Sequence, residues 1–263
     1  MNKQTLTRLK QYKADGNIFA TLTAYDATLA RIAEAAGVEV LLIGDSLGNV
    51  IQGQGSTVPV NMEQMCYHTE CVKRGTTNSF LLADMPFMSY ASPDQAIVNA
   101  AALMQSGAQM VKVEGALWLE DSVYLMSERG IPVCVHLGLL PQSVDKQGGY
   151  RIQGKDDESA QQIVDNACNL VEAGADIVLL EGVPSNVAKS VTEAVDVPVI
   201  GIGAGPHTDS QVLVVHDLLG ISQRLPSFSK NYLAEAGSIE GAIALYAEEV
   251  KSGKFPGKQY TIA

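Results

Sequence analysis

The chain has 263 residues, 46% of them hydrophobic, and a formal net charge of −11. That is enough apolar material to bury a large core without disulfides or a structural metal, and the acidity excludes nucleic acid as a partner, because phosphates demand a basic face. No run of about 18 apolar residues offers a membrane span, and the polar start carries no apolar leader core. The four cysteines, Cys66, Cys71, Cys134 and Cys168, show neither C-x-x-C spacing nor a disulfide framework, which points to reduced thiols and a cytoplasmic location.

Along the chain, short β-branched or aliphatic runs alternate with helical patterns. The first strand is predicted at 18–23, followed by a helix at 27–36; the second at 38–43, followed by 62–74; the third at 80–84, followed by 93–106. Strands at 110–114 and 133–136 flank a helix at 117–129, and strands at 177–181 and 199–202 flank another at 184–194, with a helix at 158–173 between the two pairs. An eighth strand at 212–215, a closing amphipathic helix at 238–252 and an irregular tail at 254–263 complete the order. Gly37, Gly107 and Gly174 fall where helix C-caps need a left-handed residue, and Pro93 and Pro184 fall where a helix can start. The interval between the seventh and eighth strands leaves room for a single helical turn. Eight such strands predict a closed (β/α)8 TIM barrel in one domain, 1–263, with an open doubly wound sheet as the alternative.

In a barrel of this kind the active site lies where the strands end. Here the second strand runs into Asp45 and Ser46, the third ends at Asp84, the fourth at Glu114, the fifth at His136 and the sixth at Glu181. Any one of these could be a helix cap; five consecutive strands ending in an ionisable group point to a site. Lys112, two residues before Glu114, faces the barrel interior with it, while Val111 and Val113 face the helices.

Asp45, Asp84 and Glu114 are hard oxygen donors from adjacent strands and suit Mg2+ or Mn2+ better than zinc. A Mg2+ ion held there would leave positions open for a small oxyacid and polarise its carbonyl. Glu181 is then the candidate general base for a proton alpha to that carbonyl. Lys112 would neutralise the enolate or hold a carboxylate, or else serve as a structural partner of Glu114. His68, His207 and His216 read as core, loop or surface residues. Gly201-Ile202-Gly203-Ala204-Gly205 reads as active-site wall, and the long segment from His136 to Asp157 as a lid.

The stretches T-A-Y-D-A (23–27), L-L-I-G-D-S-L-G-N-V-I-Q-G (41–53), L-L-A-D-M-P-F-M-S-Y (81–90), V-K-V-E-G (111–115), H-L-G-L-L-P-Q-S-V (136–144) and P-V-I-G-I-G-A-G (198–205) closely resemble the ketopantoate hydroxymethyltransferase family, over nearly the whole chain. The resemblance implies a (β/α)8 enzyme that transfers a hydroxymethyl group from 5,10-methylenetetrahydrofolate to 3-methyl-2-oxobutanoate, giving 2-dehydropantoate on the way to pantothenate. It implies Mg2+ on Asp45, Asp84 and Glu114, substrate contacts from Asp45, Ser46, Asp84, Lys112 and His136, and Glu181 as the base. It also implies a cytoplasmic homodecamer with small-molecule partners, the keto acid and the folate, and no nucleic acid or membrane. Two segments depart from the family's usual text: Thr208-Asp209-Ser210-Gln211 stands for C-D-G-Q, and Pro226-Ser227-Phe228 for P-K-F. The other readings of the same residues are a phosphoenolpyruvate mutase or isocitrate lyase-like Mg2+ enzyme and a non-catalytic protein that binds metal and keto acid.

Overall fold

Eight parallel strands close on themselves in sequence order in the computed structural model, which describes residues 1–262. They are β1 (Phe19–Thr23), β2 (Val40–Ile43), β3 (Phe80–Asp84), β4 (Met110–Glu114), β5 (Val133–Gly138), β6 (Ile177–Glu181), β7 (Val199–Ile202) and β8 (Ser210–Leu213). The helices in chain order are α1 (Leu6–Ala14), α2 (Ala27–Ala35), α3 (Leu47–Val50), α4 (Met62–Gly75), α5 (Pro93–Gln105), α6 (Glu120–Glu128), α7 (Val144–Gln147), α8 (Asp157–Glu172), α9 (Ser185–Ala194), α10 (Val215–Leu218), α11 (Leu233–Ala236) and α12 (Ile239–Lys251). The closed barrel is the fold that the alternating pattern predicts.

The strand period of two divides the apolar residues into two cores. Phe19, Leu42, Phe80, Leu82, Met110, Cys134, Leu179 and Val212 belong to the cluster inside the barrel. Their neighbours Leu41, Leu81, Val111, Val113, Val135 and Val178 belong to the larger cluster under the helices. Burying a Leu, Ile or Val side chain is worth about 1.5–3 kcal/mol, so these cores can support unfavourable charge burial at one end of the barrel.

Four details depart from the sequence-based expectation. The polar start folds into α1, capped by the Thr5 hydroxyl on the Arg8 amide. Its fully buried Leu9 joins the interior cluster and the Tyr12 ring stacks on Phe19 at 5.9 Å, closing the N-terminal end of the barrel. The predicted helix at 117–129 begins instead as a short 3-10 turn, Leu117–Leu119, before α6. No helix joins β7 to β8; the intervening loop is anchored by Asp209, whose carboxylate accepts from the Val199 amide (2.8 Å) and from Lys13 Nζ (2.9 Å). Finally, β8 starts two residues earlier than 212–215, because the apolar run is shared: Val212 pairs with Thr21 in the sheet, whereas Val215 and Leu218 are buried in α10.

Candidate active site

Parallel register assembles the site. Asp84 on β3 pairs with Lys112 on β4, and Glu114 on β4 pairs with His136 on β5, so each acid is set beside a nitrogen side chain of the next strand. Glu181, at the end of β6, pairs with Gly138. A Cβ at Gly138, whose φ is +93°, would lie 2.4 Å from the Glu181 carbonyl oxygen, so only glycine lets β5 and β6 approach this closely. Asp45 follows β2 through Gly44. Asp45, Asp84, Lys112, Glu114 and His136 are all at most 4% exposed, and the Glu181 side chain is 15% exposed.

Lys112 Nζ lies 3.1 Å from Asp84 Oδ1, 3.7 Å from Glu114 Oε1 and 3.2 Å from His136 Nδ1. The same Nδ1 lies 3.3 Å from Glu114 Oε1, while Nε2, 3.4 Å from Glu181 Oε2, is without a hydrogen-bond partner. Asp84 Oδ2 accepts from the Asp45 amide at 3.0 Å, whereas Asp84 Oδ1, although close to Lys112, has no aligned donor. A residue of the 136–157 segment enters the cluster: Gln142 donates from Nε2 to Asp45 Oδ2 (2.8 Å) and to the Met85 carbonyl (2.9 Å), and from its backbone amide to Glu114 Oε2 (3.0 Å). The Tyr90 hydroxyl contacts the Gln142 side-chain oxygen and the Glu114 backbone.

Ser46 stands at the rim. It is half-buried and its hydroxyl pairs with Tyr25 at 2.9 Å, not with the carboxylates. His68 and His216 pack around the same tyrosine, through a 2.7 Å contact with its carbonyl oxygen and a tilted ring contact at 5.6 Å; His207 is exposed. Gln142, Tyr90 and Tyr25 were not singled out by sequence reasoning, although all three fall inside the family-like motifs. The glycine loop after β7 is close-packed, with Gly203 against the Phe228 ring and Gly205 against Ser185.

The unusual Thr208-Asp209-Ser210-Gln211 segment satisfies itself. Thr208 Oγ1 donates to the Ser210 carbonyl and accepts from Gln211 Nε2, both at 2.8 Å, and Ser210 Oγ pairs with Thr21 Oγ1 at 2.9 Å. Ser210 lies at the start of β8, away from the strand ends that carry the acids, and Ser227 is exposed.

Four buried or nearly buried carboxyls against one lysine make a site rich in negative charge. Burial and the charge of Glu114 push Glu181 up to about 8. Burial, with the charges of Asp84 and Glu114, raises Asp45 well above the usual carboxylate range, and burial raises Asp84 despite Lys112. For Glu114 burial is outweighed by His136, Lys112 and the Gln142 amide, so it is held low. Burial would discharge Lys112, but Asp84, Glu114 and Asp45 overcome it and the ammonium is retained. Burial and the charge of Lys112 lower His136 below its ordinary range, against the opposing pull of Glu114.

Among the described residues, no group of three or more His, Cys, Asp or Glu side chains forms a ready-made metal nest. The expected trio reaches one end of the barrel, but Lys112 and Gln142 engage its oxygens. The residues nonetheless fit a hard divalent cation: the donors are carboxylate oxygens, Asp84 Oδ1 lacks an aligned donor, and the cluster carries more acids than its lysine can offset.

A pH test follows. Groups whose pKa is raised on folding, here Asp45, Asp84 and Glu181, contribute stability below their ordinary range that is lost as pH rises, for Glu181 between 4.5 and about 8. The lowered Glu114 and His136 act oppositely at the acid end. Because a cation replaces protons on its ligands, the rise in Tm on adding Mg2+ to chelated protein is expected to be larger at about pH 8 than at about pH 6. Differential scanning fluorimetry with and without Mg2+ measures it; an equal rise at both pH values would refute the charge assignment.

A (β/α)8 barrel with a buried acidic cluster around one lysine, at the C-terminal ends of its strands, belongs to the class of barrel enzymes that work at the barrel mouth. Solved structures share this architecture: phosphonopyruvate hydrolase in complex with oxalate and Mg++ superposes with a TM-score of 0.64 at 14% identity, covering 99% of this chain and 93% of that one. A 2,3-dimethylmalate lyase of the PEP mutase/isocitrate lyase superfamily superposes at 0.57 and 17% identity, covering 79% and 80%. At these identities the likeness concerns the fold alone. Sequence is more specific. The profile of ketopantoate hydroxymethyltransferase matches residues 3–258. Proteins named 3-methyl-2-oxobutanoate hydroxymethyltransferase are 54% identical in Marinobacter nauticus (98% of each chain), 54% in Vibrio vulnificus (all of each) and 56% in a Marinomonas species (97% of this chain, 94% of the other). The chain belongs to the ketopantoate hydroxymethyltransferase family and is an enzyme, a transferase. No helix among the described residues is long and apolar enough to cross a membrane.

Proposed function

We propose that this transferase moves a hydroxymethyl group from 5,10-methylenetetrahydrofolate to 3-methyl-2-oxobutanoate, producing 2-dehydropantoate for pantothenate synthesis. The observation that supports it most is Glu181: a nearly buried carboxyl whose proton affinity is raised to about 8 stands across His136 from the acidic cluster. A base tuned towards neutrality is what abstraction of a proton alpha to a carbonyl requires.

Glu181 takes the C3 proton, and the C–H electron pair becomes the double bond of the enolate. Water adds to the one-carbon unit, both of its carbon–nitrogen bonds to tetrahydrofolate break with the two nitrogens taking up the protons, and C3 bonds to the released carbonyl carbon, whose oxygen, taken from water, is protonated to the hydroxyl. Lys112, held as a cation, offsets the negative charge of enolate and carboxylate. His136 Nε2, a buried ring nitrogen without a partner, is available to the substrate, with Asp45, Ser46 and Asp84 as further substrate contacts. Asp45, Asp84 and Glu114 would hold Mg2+, which when bound supplies Lewis acidity to the keto acid. In the same reading the chain, 1–263, is one domain, cytoplasmic and decameric.

The test is solvent deuterium exchange at C3 of 3-methyl-2-oxobutanoate, followed by proton NMR without folate. Loss of the C3 signal that depends on Mg2+ and stops on chelation is expected. Absence of exchange by a protein shown to bind the keto acid would sink the reading.

A further inference from the structure

The loop between β5 and α8 stands on two feet beside the candidate base: the Leu139 amide donates to the Glu181 carbonyl at 2.8 Å, and the Gln153 amide to the Gly182 carbonyl at 2.9 Å. Between the feet the chain forms a short 3-10 turn, Pro141–Ser143, and then α7. Leu140 and Gly138 are braced by the Gln147 amide group. Gln142 projects inward and is 5% exposed. It is 97 residues from Asp45 in the chain and bonds to it nonetheless.

The three acids are held in a common way. One oxygen of each accepts from a neutral N–H: Asp45 Oδ2 from Gln142 Nε2, Glu114 Oε2 from the Gln142 amide, and Asp84 Oδ2 from the Asp45 amide. The other oxygen of Asp84 and of Glu114 is turned towards Lys112, and Asp45 Oδ1 has no hydrogen-bond donor among the described residues. A monodentate carboxylate ligand uses its oxygens in this way, one anchored by the protein and one given to the ion, and the outer anchors orient the inner set. Two of the three anchors come from Gln142. Its side-chain amide cannot turn over without losing its donations to Asp45 and to the Met85 carbonyl, because Tyr90 meets its oxygen, and its backbone amide holds Glu114.

We infer that Gln142 is a positioning residue that orients Asp45 and Glu114 for a divalent cation, so that ordering of the 139–153 loop and occupancy of the cation site are linked. The inference rests on the reading of Asp45, Asp84 and Glu114 as metal ligands. Linkage is reciprocal: the factor by which the ordered loop tightens cation binding is the factor by which the cation favours the ordered loop. A side chain with a purely structural role would show no such reciprocity.

The full-length protein is tested with Mn2+ as the probe. Free Mn2+ is measured by electron paramagnetic resonance, and loop opening by tryptic cleavage at the exposed Lys146 and Arg151, in the regime where cleavage follows the open population. In wild type, Mn2+ is expected to slow cleavage of the loop. Gln142→Ala is expected to weaken Mn2+ binding by about 10- to 100-fold and to abolish most of that protection. Tyr90→Phe, which leaves Gln142 in place but frees its amide to rotate, is expected to show a smaller loss of the same kind. Circular dichroism melts establish that each variant is folded; if Gln142→Ala does not fold, Tyr90→Phe carries the test. Mn2+ binding by Gln142→Ala that equals or exceeds wild type would overturn the inference and leave the ligand reading standing. Failure of wild type itself to bind Mn2+ would overturn both.

Discussion

Glu181→Gln is expected to keep the fold, Mg2+ binding and affinity for the keto acid while C3 proton exchange falls by about 10²–10⁴-fold, the usual worth of a positioned base. The argument is steric as well as chemical. Gln has nearly the same shape as Glu, and its amide can keep the 3.4 Å contact with His136 Nε2. The Glu181 carbonyl, which ties the 139–153 loop to β6 through Leu139, belongs to the backbone and is untouched. Stability should not suffer either, because Glu181 is protonated over much of the neutral range in the ion-free protein, with its pKa at about 8, and a carboxamide is a fair substitute for a protonated carboxyl. Exchange is measured by proton NMR and binding by calorimetry. Exchange at the wild-type rate would remove Glu181 from the base role. Loss of exchange together with loss of binding would assign it to holding the substrate instead.

Asp84→Asn is expected to weaken Mg2+ binding by more than about 100-fold, because it removes a charged oxygen ligand outright, whereas loss of an outer-sphere partner already costs about 10- to 100-fold. Asn is preferable to Ala here: its carbonyl oxygen can still accept from the Asp45 amide, which Asp84 Oδ2 does at 3.0 Å. The stability consequence distinguishes this substitution from ordinary damage. Breaking a buried ion pair commonly costs about 3–5 kcal/mol, but Lys112 retains Glu114 at 3.7 Å and the site loses one of its mutually repelling acids. The chelated variant is therefore expected to melt at about the wild-type temperature at alkaline pH, while added Mg2+ no longer raises Tm. Calorimetric titration with Mg2+ and melting curves in chelator check both parts. An undiminished Mg2+ affinity would refute Asp84 as a ligand.

The strand ends were legible because the signal there is local. Parallel strands buried on both faces read as apolar runs, so an acid closing such a run at Asp84, Glu114 or Glu181 is conspicuous. The period of two set Lys112 and Glu114 on the interior face without any knowledge of the neighbours. Two helix starts were legible for the same reason, at Pro93 and Pro184; the structure adds the caps, Ser92 for α5 and the Asn61–Gln64 capping box for α4. The helix α1 was hidden because its inward side offers only Leu6, Leu9 and Tyr12 among polar residues, and its burial depends on a barrel floor made by Phe19 and its interior neighbours. The shift of β8 was hidden because a continuous apolar run does not say where strand becomes helix.

Residue order thus determined the eightfold alternation of strand and helix, the placing of Asp45, Asp84, Glu114, His136 and Glu181 at strand ends, and the shared inward face of Lys112 and Glu114, since each of these follows from patterns within about five residues. Only the tertiary structure decided which oxygen of each acid is anchored, that Ser46 turns to Tyr25 rather than to the carboxylates, and that Gln142 reaches back to Asp45 and Glu114 from the far side of the mouth. Those choices depend on the register of neighbouring strands and on closure of a loop over them. Both are set by contacts between residues tens of positions apart, which no local pattern in the chain encodes.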